Sequence, residues 1–103
     1  MDPLTGKQKR SLRGMAQRLP PALQVGKGGL TPAIVAAIAE LLDRRELVKI
    51  RLPACPPAAR RSTAEDLAGT LGARCLGTLG HTVLLYRPNE SLPPDRRIAL
   101  PEP

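Results

Sequence analysis

The chain has 103 residues, with 16 Lys and Arg against nine Asp and Glu, and a net charge of +7. This length fits one domain with a modest core, and the positive charge favours a polyanionic partner. Tyr86 is the only aromatic residue, which argues against recognition that stacks nucleobases on aromatic rings.

The first predicted element is a helix from Thr5 to Arg18. Apolar residues recur in it at the spacing of one buried helix face, namely Leu12, Met15, Ala16 and Leu19. Lys7, Lys9, Arg10 and Arg13 occupy its other sides, and this stretch contains no carboxylate. Pro20 and Pro21 end the helix.

A short strand over residues 22–25 then leads into a glycine-rich loop, Gly26–Gly29, which contains Lys27. Thr31 can cap the helix that follows, and Pro32 suits the first position of that helix. The free amides and the dipole at a helix N-terminus attract phosphate, and Lys27 adds a mobile positive charge. The motif therefore predicts a clamp for a nucleic-acid backbone.

The glycine spacing alone is weak evidence, because Gly-x-x-Gly recurs at 69–72 and 77–80. Gly72 is predicted to end a helix, and Gly80 is predicted to form a turn between strands. Only the copy at 26–29 has a basic residue inside it and a helix cap after it.

The second helix is predicted from Thr31 to about Arg44, with a core stripe of Ile34, Val35, Ile38, Leu41 and Leu42. Leu47–Leu52 alternates like a strand, which places Val48, Ile50 and Leu52 on one side and Leu47, Lys49 and Arg51 on the other. A proline-containing loop should follow and end in the pair Arg60 and Arg61.

The third helix is predicted to begin near Ser62, where Ser62 and Glu65 have capping-box spacing, and to end at Gly72. Residues 73–79 and 82–87 should form a hairpin that turns at Gly80 and His81. The second of these strands carries an unbroken apolar run, which indicates a central strand. Tyr86 is expected in the core with its hydroxyl satisfied. Residues 89–103 are rich in proline and are predicted to be a flexible or extended tail.

The predicted order is α-β-α-β-α-β-β, which indicates a compact α/β domain over residues 1–88. Helices that alternate with strands imply at least one parallel strand pair. A mixed sheet of about four strands packed against three helices is the economical arrangement.

Several stretches, in order and spacing, resemble the YhbY family, bacterial single-domain members of the CRM (chloroplast RNA splicing and ribosome maturation) group. The residues that carry the resemblance lie at Leu4–Gln8, Leu12–Arg13, Val25–Thr31, Glu46–Ile50 and Leu84–Pro88. The resemblance implies a fold similar to the C-terminal domain of translation initiation factor three. It also implies RNA binding in association with precursors of the large ribosomal subunit.

Carried onto this chain, the family's RNA-binding loop is Gly26, Lys27, Gly28 and Gly29, and its neighbouring basic helix corresponds to Lys7, Lys9, Arg10 and Arg13. Thr31, Lys49 and Arg51 are further candidate RNA contacts. Such contacts would hold the phosphate backbone of structured, ribosomal RNA and would discriminate little between sequences.

Other function classes find less support. Cys55, Cys75 and His81 do not have zinc-ligand spacing, and nothing orients His81 as a catalytic base, so we expect neither a cofactor, a small-molecule substrate nor an enzyme. The absence of a membrane-length apolar run and of a signal peptide favours a cytoplasmic protein without a membrane partner. Two alternatives remain open: a DNA-binding module, and a protein-interaction domain that uses the proline-rich tail.

Overall fold

The computed structural model describes residues 3–103 and has the predicted order of elements. Three helices and four strands are followed by one turn of 3-10 helix, Pro94–Arg96. The helices are α1 (Gly6–Ala16), α2 (Pro32–Arg45) and α3 (Pro57–Leu71), and the strands are β1 (Leu23–Gln24), β2 (Leu47–Arg51), β3 (Arg74–Leu79) and β4 (Thr82–Tyr86). The α/β class is therefore confirmed.

The four strands form one mixed sheet in the order β1-β2-β4-β3. β1 pairs with β2 in parallel, and the other two pairs are antiparallel. β4 is a central strand, as its apolar run predicted, and Val83, Leu84, Leu85 and Tyr86 are all buried. The core position of Tyr86 is confirmed, and its hydroxyl makes no hydrogen bond within residues 3–103.

The helices lie on both faces of the sheet and make three layers. α2 and α3 cover the face that carries Val48, Ile50 and Leu85, and they build the larger hydrophobic cluster there. α1 covers part of the opposite face through Leu12 and Ala16. The side of β2 predicted to bear Lys49 and Arg51 is thus the side toward α1.

The buried face of α1 is narrower than its apolar spacing predicted. Thr5 and Gln8 form a capping box at its start. Leu12 and Ala16 are buried, but Met15 is 36% exposed and Leu19 is 39% exposed, so their prediction as core residues was wrong. The helix ends at Ala16, which leaves Leu19 beyond it, and a single helix on a sheet buries only a thin stripe of side chains.

α3 begins at Pro57, five residues before the predicted start, so the capping box at Ser62 and Glu65 was wrong. Pro56 has extended backbone angles and Pro57 occupies the first turn, where its fixed φ suits a helix and its missing N–H costs nothing. Arg60 and Arg61 consequently lie on a helix and not in a loop, which corrects the predicted loop pair. Gly72 ends the helix at φ +63°, as predicted.

Arg87 connects the two helices of the larger cluster. Its guanidinium donates to the carbonyls of Leu71 at 2.8 Å and Ala39 at 3.0 Å, and to Asp43 Oδ1 at 2.6 Å. These bonds tie the C-terminal ends of α2 and α3 to the end of β4. The arginine is therefore structural.

The segment after β4 contacts the α1 side of the domain. Ile98 and Leu100 pack against the cluster that contains Leu12, and the side-chain amide of Gln8 donates to the carbonyl of Pro101. The proline content and missing periodicity of residues 89–103 gave no sign of these contacts.

Candidate nucleic-acid interface

The Gly26–Gly29 loop leaves the sheet at the C-terminal end of β1. Val25 is buried and its N–H donates to the carbonyl of Arg51, which fixes where the loop begins. The N–H of Gly29 donates to the carbonyl of Gly26 at 3.0 Å, and this bond closes a turn that holds Lys27 and Gly28 exposed. The loop is thus an ordered, outward-facing turn.

The backbone conformation requires glycine at only one position of this loop. Nothing in the fold requires glycine at the other positions. Gly29 has φ +75°, a left-handed conformation in which a side chain is strained. A Cβ added at Gly26 or Gly28 would meet no atom within 4 Å. The space in front of the backbone at these two glycines is therefore open to an external group.

The N-terminus of α2 follows the loop directly. Thr31 Oγ1 accepts from the N–H of Ile34 at 3.2 Å, and Pro32 occupies the first turn, as predicted. Within residues 3–103, no hydrogen bond occupies the N–H groups of Lys27, Gly28 or Ala33. With no acidic residue in the first turn of α2, these amides and the helix dipole make the local potential positive. Thr31 serves here as a cap.

Lys49 and Arg51 lie beside the loop on the α1 face of the sheet. Gln24, two residues before the loop, pairs with Arg51 across the parallel strands. Arg51 is exposed and Lys49 is half-buried, so α1 does not cover them completely. The alternating pattern of β2 predicted that these two residues share one face of the sheet. It could not show that this part of the face stays accessible to solvent.

The four candidate residues of α1 divide into two groups. Lys7, Lys9 and Arg10 are exposed, and no hydrogen bond or ion pair joins them to the loop within the described residues. Arg13 instead extends over the sheet, where its Nε donates to the carbonyl of Leu76 at 2.9 Å. The structure brings Arg13 together with Lys49, and leaves the other three along the outer side of α1.

A β-bulge makes this contact of Arg13 possible. The pairing of β3 with β4 shifts between Cys75 and Gly77, and Gly77 has φ +124°. The extra residue, Leu76, presents its carbonyl to Arg13 because a bulge leaves one residue out of the ladder. Gly77, a lone glycine inside a strand, is a sequence signal for a bulge, but the predicted strand over residues 73–79 did not include one.

Arg13 and Lys49 border a cavity of about 340 Å³ between the end of α1 and the sheet. Apolar and uncharged polar residues complete its lining: Ala16, Gln17, Leu76, Gly77, Thr78, Leu79, Thr82 and Leu84. Two cationic side chains and no carboxylate line the cavity. Gln17, Thr82 and Leu79 were not recognised from the sequence, because cross-strand register pairs Thr82 with Leu79 and only the packing of α1 on the sheet adds Gln17.

The hairpin turn of β3 and β4 lies at the same end of the sheet as the loop. The N–H of Leu52 donates to the carbonyl of His81, and Arg60 Nη2 bonds both the carbonyl of Cys55 and His81 Nδ1, the latter at 3.3 Å. His81 is exposed, and its contact with Arg60 links the hairpin turn to the first turn of α3. Cys55 and Cys75 are half-buried free thiols.

A second basic surface lies at the other end of α2. Arg44, Arg45 and Arg96 line a groove with the exposed side chains of Met15 and Leu19. No local pattern in the sequence indicates this groove, because Arg96 is distant in sequence from the two α2 residues.

Two observations concern other kinds of site. In the part of the chain that the structure describes, no three or more His, Cys, Asp or Glu side chains form a group that could hold a metal ion. None of the helices between residues 3 and 103 combines the length and the apolar character needed to cross a bilayer.

Comparison with known proteins points to one family. The family model described as the CRS1 / YhbY (CRM) domain matches residues 4–87. The chain is 38% identical to the "Probable RNA-binding protein YqeI" of Bacillus subtilis, over 95% of this chain and 99% of that one. It is 32% identical to an "RNA-binding protein" of Haemophilus influenzae, over 98% of each. The solution structure of SAV1595 from Staphylococcus aureus, for which RNA binding is proposed, superposes with a TM-score of 0.78 at 31% identity, over 96% of this chain and all of that one.

Proposed function

The chain belongs to the CRS1 / YhbY (CRM) domain family, and from that premise we propose that it is an RNA-binding protein that acts without catalysis. The observation that carries the proposal is the exposed Gly26–Gly29 turn at the N-terminus of α2. Its unoccupied amides, the helix dipole and Lys27 form a site for one or two phosphate groups. The similarity to proteins named for RNA binding supports RNA as the polymer.

The footprint extends from the loop across the open face of the sheet. Arg51 lies next to the loop, Lys49 follows two residues back along β2, and Arg13 adds a cation from α1. Lys7, Lys9 and Arg10 continue this basic surface along the exposed side of α1. A phosphate backbone that follows these groups would cross the sheet from β1 toward β3.

The proposed partner is structured ribosomal RNA in precursors of the large subunit, which places the protein in the cytoplasm during ribosome assembly. This assignment rests on the family resemblance. Contacts to phosphate give an affinity that falls steeply as the salt concentration rises. They also discriminate little between RNA sequences. Both properties suit a protein that recognises the shape of an assembling RNA.

A charge reversal in the loop tests the proposal. Lys27→Asp should weaken binding to a ribosomal RNA fragment in a filter-binding titration by about tenfold or more, because it replaces a phosphate contact with a repulsive charge. Its thermal stability should stay unchanged because Lys27 is exposed.

The matched control is Arg44→Asp, an identical charge change at an exposed residue in the last turn of α2, about 20 Å of helix from the loop. Equal losses in both variants would indicate a general charge effect and would remove the loop from the proposed site. Duplex DNA that competes as well as ribosomal RNA would favour the alternative of a DNA-binding module. A protein that binds neither polymer would favour protein recognition through residues 89–103.

A further inference from the structure

α1 leaves one end of its sheet face uncovered. Cross-strand pairing places Arg51, Thr82 and Leu79 in one row over β2, β4 and β3. Leu79 is 74% exposed, more than Met15 or Leu19, the other exposed large apolar residues of the described chain. Leu79 lines the cavity beside it together with the buried Leu76 and Leu84, so it extends the apolar surface of that cavity into solvent.

The cavity beside this row has an apolar floor and a polar rim. Leu76 and Leu84 are buried beneath it, and Leu79 forms its exposed wall. Lys49 and Gln17 stand at the rim. A volume of about 340 Å³ is at the small end of the range for ligand pockets, so it suits one compact group and not an extended chain.

The charges around the cavity favour an occupant attached to phosphate. Arg13 and Lys49 both line it, and Arg51 continues the row of cations toward the Gly26–Gly29 loop. An RNA strand held by these groups would pass the mouth of the cavity. The groups on that strand that have apolar faces and polar edges are its nucleobases.

We propose that this cavity receives one unpaired nucleobase of the bound RNA. The proposal rests on the RNA-binding function proposed above and adds to it a contact with a base. A base inside an A-form helix cannot reach such a site, so the nucleotide must come from a bulge, a loop or an end. The faces of the base lie against Leu79 and the leucine floor, and its edge meets Gln17 and Thr82. Leucine side chains thus contact the faces of the base, as aromatic rings do in other RNA-binding proteins.

Three RNAs that differ at one position test this inference. The first is a ribosomal RNA hairpin with a single bulged nucleotide, the second has an abasic residue at the bulge, and the third is fully paired. The protein should bind the bulged RNA about tenfold more tightly than the abasic one, because burying one face of a base against leucine side chains removes apolar surface from water. The Leu79→Ala variant should lose this difference and keep its affinity for the abasic RNA.

Leu19→Ala is the matched control, because it removes the same atoms from another exposed leucine that does not line the cavity. It should keep the tenfold difference. Leu79 is exposed, so the Leu79→Ala protein should unfold at the wild-type temperature. If wild-type protein binds bulged and abasic RNA equally, the base pocket is excluded while the phosphate site stands. If it binds none of the three, the proposed RNA-binding function itself is excluded.

Discussion

Glu46 Oε1 accepts a hydrogen bond from the backbone N–H of Ile98 at 2.7 Å, although 52 residues separate the two in sequence. The other oxygen, Oε2, accepts from the N–H of Asn89 at 2.7 Å and from Arg97 Nε at 3.3 Å. Glu46 is fully buried and has φ +63°, a strained conformation for a side chain with a Cβ. One carboxylate at the end of α2 therefore holds two points of the segment that follows β4.

Removing this carboxylate should destabilise the whole domain. Glu46→Ala leaves two backbone N–H groups without partners in a buried setting, and we expect the free energy of unfolding to fall by about 3 kcal/mol. Glu46→Gln keeps one acceptor oxygen and should cost about half as much. Urea denaturation of the two variants measures both values. Equal, small losses would mean that the segment after β4 contributes little to stability.

The stability should also fall at alkaline pH because of Tyr86. Burial raises the pKa of its phenol above the ordinary value of 10.0, and the charge of Glu46 raises that pKa further while Arg97 lowers it. The unfolded chain therefore ionises first. The contribution of the neutral Tyr86 phenol to the free energy of unfolding is therefore fully present below about pH 10. It is lost as the pH rises through the pKa of Tyr86 in the folded protein.

Tyr86→Phe should remove this component of the alkaline loss of stability. Because Tyr86 is the only aromatic residue, the ultraviolet absorbance of ionised tyrosine reports its titration directly. A folded protein whose tyrosine titrates at pH 10.0 or below would contradict the expected direction.

Two alanine substitutions in the loop should separate its folding from its binding. Gly29→Ala places a side chain at φ +75° and should lower stability by about 1 kcal/mol. Gly28→Ala has open space and no positive φ, so its stability should match wild type, yet its methyl group enters the space proposed for phosphate. Thermal unfolding and RNA titration of both proteins check this. Gly28→Ala binding at wild-type affinity would mean that no phosphate approaches the loop backbone closely.

The exposed cations of α1 should determine part of the salt dependence. Changing Lys7, Lys9 and Arg10 together to Gln should reduce the slope of log affinity against log salt by about two to three units, since each is proposed to neutralise one phosphate. The double change of Arg44 and Arg45 to Gln is the control, because these residues lie at the far end of α2, about 20 Å of helix from the loop. A slope altered by the control and not by the α1 variant would place the RNA on the second basic groove.

Arg13 is left out of that variant because it also has a structural contact. Its bond to the carbonyl of Leu76 means that a substitution there would change the sheet as well as the charge. The sequence assigned it to the same group as Lys7, and only the bulge at Gly77 distinguishes them.

Local sequence patterns predicted the element order, the central position of β4, the cap at Thr31 and the glycine-rich loop Gly26–Gly29 in front of α2. Each of these depends on residues within a few positions of one another, where periodicity, capping and turn preferences act. The start of α3 was misplaced because proline is common both in loops and in the first turn of a helix, and only the surrounding chain decides between them. Local patterns also placed Met15 and Leu19 in the core.

Only the assembled fold shows that Glu46 binds Ile98, that Arg13 and Lys49 line one cavity, and that Leu79 borders the same cavity. These contacts join residues from distant parts of the chain, and they depend on strand order, on the register of the sheet and on one bulge. No local pattern carries that information, because each is fixed only when the whole sheet has assembled.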